Sequence, residues 1–104
     1  MITERLSFRA KYGQGDTLVQ LFKEQFPTMV KDTPITGARI YTDFTGPMFS
    51  VIVESDFPDI DAYMTFMKAD NAEYATAEFQ AWFGRMMEVT EAGDRQVLNL
   101  EKLI

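Results

Sequence analysis

The sequence of 104 residues contains no cysteine and no histidine. Without cysteine there are no disulfides, iron–sulfur clusters, thiolate nucleophiles or cysteine-based zinc sites. Without histidine there is no Ser-His-Asp triad, no histidine-ligated haem, none of the usual catalytic zinc sites, and no imidazole for proton transfer near pH 7. Any catalysis must use carboxylates, tyrosine, lysine, arginine, asparagine, tryptophan or a borrowed cofactor. We predict that the protein uses neither a cofactor nor a metal.

Long apolar runs and dense positive charge are also missing. No run approaches the roughly 18 apolar residues that span a bilayer, and residues 1–12 alternate charged and apolar side chains where a signal peptide needs a continuous apolar region. The 16 acidic and 10 basic residues are spread along the chain with a net charge of −6, so no basic patch is available for a phosphate backbone. We therefore expect a cytoplasmic protein that binds neither membranes nor nucleic acids.

The remaining composition is that of a folded protein. Hydrophobic residues make up 46% and charged residues 25% of the chain, which is typical of a globular domain. A chain of this length forms one core and buries roughly two thirds of its unfolded surface. We predict a single domain over residues 1–104.

The first half of the chain predicts a strand, a helix and a β-hairpin. Residues 3–12, TERLSFRAKY, alternate apolar and polar side chains, as a strand with one buried face does. A helix follows, with Asp16 as its expected cap and Pro27 expected to end or kink it near Phe26. Residues 36–55 hold two β-rich runs around the turn residues TGP, which predicts a hairpin.

The second half predicts two helical segments and a last strand. Asp56 is the expected cap of the first segment, and the spacing of Asp70 and Glu73 resembles a capping box after a break. Gly93 is expected to end the second segment in a left-handed conformation, before a strand at the end of the chain. The order is βαββαβ, an α+β ferredoxin-like fold with a four-stranded antiparallel sheet and helices on one face.

The sheet face away from the helices is predicted to combine apolar residues with charges of both signs. A solvated face does not need Tyr41 or Ile52, and a monomer core does not tolerate unpaired charges. Such a surface suits a second copy of the chain packed against it. Val97 is also predicted to lie on this face, and the candidate dimer-interface residues are Arg9, Arg39, Tyr41, Ile52, Glu54 and Asn99.

Two sets of charged residues allow alternative interpretations. Arg9 and Arg39 either clamp an anionic substrate or, as we favour, pair with Glu54 or Asp43 across the interface between subunits. The acidic cluster could bind a cation through oxygen ligands, but helix capping and the helix dipole explain it better. The members of this cluster are Glu54, Asp56, Asp59 and Asp61.

Two stretches carry a resemblance to a known superfamily. YTDFTGPMFSVIVESDFPDIDAY, residues 41–63, and EFQAWFGRMMEVTEAGDRQVLNL, residues 78–100, resemble the dimeric α/β-barrel superfamily, which includes antibiotic biosynthesis monooxygenases and NIPSNAP-like proteins. The second stretch is more similar to NIPSNAP-type sequences. The resemblance implies a barrel formed by two facing sheets in a homodimer and a small-molecule cavity between each sheet and its own helices. It does not extend to haem-degrading members, which need a proximal histidine.

Residues 79–87, FQAWFGRMM, carry large apolar side chains at helical spacing, and Trp82 is the only tryptophan. Burial of each side chain contributes roughly 1.5 to 3 kcal/mol, so the stripe is predicted to face the core. Three interpretations stay open: a complete core, a core that is also a pocket wall, and an exposed partner surface. The stripe consists of Phe79, Trp82, Phe83, Met86 and Met87.

We expect a small apolar or aromatic ligand between sheet and helices. One functional class is a cofactor-independent, monooxygenase-like enzyme in which Tyr63 or an arginine stabilises developing negative charge. The alternative is a non-catalytic, NIPSNAP-like binding or interaction protein. Tyr63 and Tyr74 could orient a phenolic or enolic substrate or simply form ordinary hydrogen bonds. The candidate ligand-binding residues are Phe8, Tyr63, Phe66, Met67, Trp82 and Met86.

Overall fold

A computed structural model describes residues 1–68 and 76–104 and confirms the ferredoxin-like architecture. The strands form one antiparallel sheet in the order β2-β3-β1-β4. The predicted break with Asp70 and Glu73, and also Tyr74, lie outside the described residues. The elements in these two ranges are β1 (Ile2–Ala10), α1 (Gly15–Met29), β2 (Gly37–Thr42), β3 (Ser50–Phe57), α2 (Ile60–Lys68), α3 (Ala77–Val89) and β4 (Thr90–Asn99).

The sheet has one face toward the helices and one face away from them, which we call the open face. In β1, Leu6 and Phe8 belong to the helix-side row and lie opposite Val53 and Val51 of β3. The residues between them belong to the open face, because successive side chains of a strand alternate. The shortest principal extent of the Cα atoms is 18 Å, as expected for one sheet layer and one helix layer at a spacing of about 10 Å.

The core lies between the sheet and helices α1 and α3. Leu18 of α1 and Val51 of β3 are fully buried, and Phe22 and Trp82 join the two helices above the sheet. The ring centroids of Phe22 and Trp82 are 5.3 Å apart in an edge-to-face arrangement. Each such fully buried side chain contributes roughly 1.5 to 3 kcal/mol of transfer free energy, so this group fixes how the helices lie on the sheet.

Three predicted helix boundaries differ from the observed ones. Helix α1 begins at Gly15, so Asp16 lies within its first turn instead of capping it, and the residue at the N-cap, Gln14, forms no side-chain capping bond. Pro27 lies inside the helix, which continues for two more residues to Met29 instead of ending near Phe26. Asp59, not Asp56, caps α2: its Oδ1 accepts a hydrogen bond from the N–H of Ala62 at 2.8 Å.

The prediction that Gly93 ends a helix is wrong, because α3 ends at Val89 and Gly93 lies within β4 opposite Phe8. Its role is close approach: a Cβ atom at this position would lie 3.1 Å from Cδ1 of Phe8. The glycine therefore lets the Phe8 ring lie against the backbone of the edge strand.

The assignment of Val97 and Asn99 to the open face is also wrong. Val97 pairs with Glu4 and Asn99 with Ile2, and both partners belong to the helix-side row of β1. The β1–β4 register is uniform from Ile2 to Arg9, so the partners in β1 determine these faces, and alternation within one strand does not reveal those partners. The β4 residues on the open face are instead Ala92, Asp94, Gln96 and Leu98.

No helix in the described ranges, 1–68 and 76–104, is long and apolar enough to cross a membrane.

Candidate functional site

Trp82, the central residue of the apolar stripe, is part of the core. Its side chain is 2% exposed, and its indole Nε1–H donates a hydrogen bond to the backbone carbonyl of Leu21 at 2.7 Å. Its ring also packs on Phe79, with the centroids 5.6 Å apart. Since its polar atom has a partner and its rings are covered, Trp82 serves to lock α3 onto α1.

The other candidate ligand residues separate into three groups. Phe8 and Met86 pack in or against the same core as Trp82, and Met67 is 42% exposed on α2. Phe66 is half-buried, with its ring 5.3 Å from that of Phe57, and it lines a cavity. Tyr63 is buried and is connected to this cavity through Glu4. The structure therefore brings Tyr63 and Phe66 together and places them apart from Trp82.

This cavity, which we call the inner cavity, lies between the sheet and helices α1 and α2. Its volume is about 90 Å³. Most of its wall is apolar, and the polar side chains that line it are Glu4 and Ser55, which face each other across the β1–β3 pair. The wall consists of Glu4, Leu6, Phe22, Phe26, Met29, Val30, Ile35, Ser55 and Phe66.

Glu4 is the functional candidate that sequence analysis missed. It is 9% exposed, and the Tyr63 hydroxyl donates a hydrogen bond to its Oε2 at 2.8 Å. A signal was present: Glu4 continues the every-second-residue row of Leu6, Phe8 and Ala10. A carboxylate in the register of a buried face is unusual, because burial of a charge without a partner is costly.

The Glu4 carboxylate and burial keep Tyr63 protonated. Burial is the larger cause, and the hydrogen bond and charge of Glu4 add to it, so that the pKa of Tyr63 rises from 10.0 to about 12. Its ring packs edge-to-face on Phe57, with the centroids 5.1 Å apart. At neutral pH Tyr63 is therefore a hydrogen-bond donor and not a base.

A spectroscopic titration tests this arrangement. We expect a phenolate absorbance step with a midpoint near 12 in the difference between wild type and Tyr63→Phe. Because the folded-state pKa is raised, its stabilising contribution is complete below pH 10 and is lost as the pH rises from 10 toward 12. Tyr63→Phe should lack this part of the alkaline loss of stability. A difference spectrum with a midpoint at 10 would show that Tyr63 is not buried against Glu4.

A second cavity, the outer cavity, lies between α1 and the edge strand β2. Its volume is about 230 Å³, and it shares Phe22 and Phe26 with the inner cavity. These two rings form the partition between the cavities, and Phe26 is only half-buried. Together the two volumes reach the lower end of the range of about 300 to 1,000 Å³ that is typical of small-molecule sites. The remaining lining residues are Lys23, Pro27, Ala38, Arg39, Ile40 and Val53.

A third cavity of about 280 Å³ lies at the opposite end of the sheet, where the loop before α1 meets the β2–β3 hairpin. Its wall is more polar and includes the carboxylates of Asp16 and Asp43. Oδ1 of Asp43 accepts a hydrogen bond from the N–H of Ser50 at 3.1 Å, which closes the hairpin. Trp82 lines none of these three cavities.

The open face carries a charged network across three strands. The Nε–H groups of Arg5 and Arg39 donate to the two carboxylate oxygens of Glu54, each at 2.7 Å. Arg39 also donates to both oxygens of Asp56, at 2.7 and 3.1 Å, and the Thr3 hydroxyl donates to Oδ1 of Asp56 at 2.7 Å. The hydrogen bonds from Arg39 hold the pKa of Asp56 below its ordinary value.

This network corrects two predictions. Arg39 pairs with Glu54 and Asp56 of its own chain, because all three lie on adjacent strands, whereas we expected a pairing between subunits. Asp56 lies within β3 and belongs to the network instead of a helix cap. The capping explanation for the acidic cluster is correct for Asp59, and Asp61 lies in the first turn of α2 as expected.

Comparison with solved structures identifies the fold. The chain is similar to a NIPSNAP domain protein from Burkholderia xenovorans, with a TM-score of 0.78, 15% identity, and coverage of 100% of this chain and 98% of that one. It is also similar to a NIPSNAP family protein from Agrobacterium tumefaciens, with a TM-score of 0.72, 17% identity, and coverage of 98% of this chain and 94% of that one. The similarity to SnoaB, a cofactor-independent oxygenase from Streptomyces nogalater, has a TM-score of 0.69, 10% identity, and coverage of 99% of this chain and 95% of that one. The expected likeness to NIPSNAP and monooxygenase structures is thus confirmed for the fold.

The sequence matches no family model and no curated protein.

Proposed function

We propose that this protein is a homodimer that binds a small, largely apolar molecule between its sheet and helices α1 and α2. The observation that carries this proposal is the pair of cavities on either side of Phe22 and Phe26. Apolar walls with a few polar groups are typical of sites for small molecules. Rotation of the half-buried Phe26 ring would join the two volumes into one site that reaches from the β2 edge to Glu4.

The homodimer is supported by the composition of the open face. Tyr41 is 47% exposed and lies opposite Ile52, which is half-buried although no helix of residues 1–68 and 76–104 covers this side of the sheet. The side chains of Arg5 and Arg39 are 40% and 38% exposed, while those of their partners Glu54 and Asp56 are 7% and 11% exposed. A face with an apolar centre and pre-paired charges at its border can be covered by a second sheet without leaving unpaired charge. The cytoplasmic location stays a prediction from the sequence.

A second candidate function is a cofactor-independent oxygenase-type reaction, and one observation favours it. Glu4 places a carboxylate at the wall of the inner cavity, where it could accept a proton from an activated substrate. Tyr63 would hold the carboxylate in position, because its hydroxyl donates a hydrogen bond to Glu4. Oxygen consumption in the presence of a bound ligand separates this function from simple binding.

The binding proposal predicts that toluene and 2-phenylethanol bind and that filling the outer cavity prevents it. Ala38→Phe places a ring at the exposed rim of this cavity, and we expect it to weaken binding at least ten-fold in isothermal titration calorimetry. Ala81→Phe makes the same change at an exposed position of α3 and should leave the dissociation constant unchanged. Absence of heat with both compounds, or equal binding by the two variants, would contradict the proposed site.

A further inference from the structure

We propose that Glu4 makes this site selective for apolar molecules that carry a protonated amine. The inference rests on the proposed binding function and adds the chemical class of the ligand. It follows from the position of one buried carboxylate, from the neutral character of its partner, and from the location of the positive charges around it.

The side chain of Glu4 has uncharged neighbours in the sheet. Its side chain belongs to the helix-side row of β1, and its neighbours across the strands are Ser55 of β3 and Val97 of β4. Neither neighbour carries a charge. Glu4 is 9% exposed and lines the inner cavity, so a ligand in this cavity would meet the carboxylate.

The hydrogen bond to Glu4 comes from a neutral group. The Tyr63 hydroxyl donates at 2.8 Å, and the phenol stays protonated at neutral pH. In contrast, Glu54 and Asp56 of the open face each receive charge-assisted hydrogen bonds from arginine. Among the ion pairs of the described residues, none includes Glu4. Glu4 is therefore a buried carboxylate to which a cationic donor can add a strong, charge-assisted bond.

The nearby cations lie on other faces of the fold or are exposed to solvent. Arg5, the next residue along β1, points to the open face, where it binds Glu54. Lys23 lines the outer cavity, on the far side of the Phe22 and Phe26 partition, and the Arg39 guanidinium binds Glu54 and Asp56 on the open face. The charge of Arg95 in β4 lowers the pKa of Tyr63, whereas Glu4 raises it. Arg95 is exposed, so solvent screens its charge. The carboxylate thus dominates the inner end of the site.

These features fit one kind of ligand. An ammonium group offers three hydrogen-bond donors and a full charge to Glu4, and its apolar remainder would fill the space beside Phe22 and Phe26. A ligand carboxylate would be repelled by Glu4. A neutral alcohol would offer Glu4 only an uncharged hydrogen-bond donor. A protonated aryl-alkyl amine satisfies both the carboxylate and the apolar wall.

The test compares three probes on the unmodified protein by isothermal titration calorimetry at pH 7: 2-phenylethylamine, 2-phenylethanol and toluene. We expect the amine to bind on the order of ten-fold more tightly than the alcohol, because the ammonium group adds charge attraction to its hydrogen bond with Glu4 and the alcohol hydroxyl does not. In Glu4→Gln, whose amide oxygen can still accept from Tyr63, this preference should disappear and the amine and the alcohol should bind equally. Glu91→Gln removes the same charge from an exposed position of β4 and should keep the preference.

Each outcome decides the proposal. Equal binding of amine and alcohol by wild type, or an unchanged preference in Glu4→Gln, would overturn the selectivity while leaving the binding function intact. Absence of binding by all three probes would overturn both. If Glu4→Gln does not fold, Tyr63→Phe takes its place: it removes the competing donor and keeps the carboxylate, so the amine preference should persist or increase. Loss of the preference in Tyr63→Phe would contradict the role of Glu4.

Discussion

Replacing Trp82 with alanine is expected to lower the free energy of unfolding by about 3 to 5 kcal/mol, the range for truncation of a buried aromatic residue. Two contributions add up in this effect. The indole is 2% exposed and contacts Phe22 and Phe79, so its loss leaves a cavity between α1 and α3. Its N–H bond to the Leu21 carbonyl at 2.7 Å is lost as well. Because a domain is stabilised by only about 5 to 15 kcal/mol, urea unfolding should detect the change readily.

Two control variants separate these contributions. Trp82→Phe keeps a ring but removes the N–H, and we expect it to lose less than half as much stability as Trp82→Ala. Phe83, the next residue of α3, is 37% exposed, so Phe83→Ala should cost about 1 kcal/mol or less. If Trp82→Ala and Phe83→Ala were equally stable, Trp82 would not be the residue that holds α3 on α1.

The apolar stripe of α3 was predictable because helical periodicity and burial are local properties of the sequence. Trp82 and Met86 are buried as predicted, but the prediction is wrong for Phe83 and Met87, which are exposed on the side of α3 away from the core. The order of strands and helices followed from alternation and turn residues. The partner of Trp82 was not predictable. Leu21 lies 61 residues away, and only the packing of two helices brings its carbonyl to the indole. The sequence pattern therefore indicated which side faces inward but not what each side chain contacts.

The wrong predictions concern residues whose role depends on their neighbours across strands. Asp56 has the residue type and the sequence position that are typical of a helix cap. However, β3 extends through Asp56 to Phe57, and Arg39 of β2 binds its carboxylate. Asn99 was assigned by alternation within one strand, but the register with β1 determines its face. Glu4 was missed although its place in the row of Leu6, Phe8 and Ala10 is visible in the sequence. A charged side chain is ordinarily expected to be exposed to solvent.

Ile52→Asp is expected to convert the proposed homodimer into a monomer. Ile52 lies at the centre of the open face, opposite Ser7 of β1 and Tyr41 of β2. A carboxylate there would be buried by a second sheet beside Glu54, whose oxygens already bind Arg5 and Arg39. An unpaired charge in an interface costs about 3 kcal/mol or more, which corresponds to a loss of more than about 100-fold in dimer affinity. Sedimentation velocity at micromolar concentration measures the change directly.

The matched variant is Met64→Asp, which introduces the same side chain at a 43% exposed position of α2, in the helix layer. We expect Met64→Asp to stay dimeric and both variants to keep the far-UV circular dichroism of wild type. The comparison is decisive because the open face has two possible states. If it is covered by a second copy, a new charge at Ile52 separates the subunits; if it is solvated, the charge at Ile52 changes nothing. A wild-type monomer, or an Ile52→Asp variant that stays dimeric, would show that the charged network stabilises a solvated sheet and not an interface.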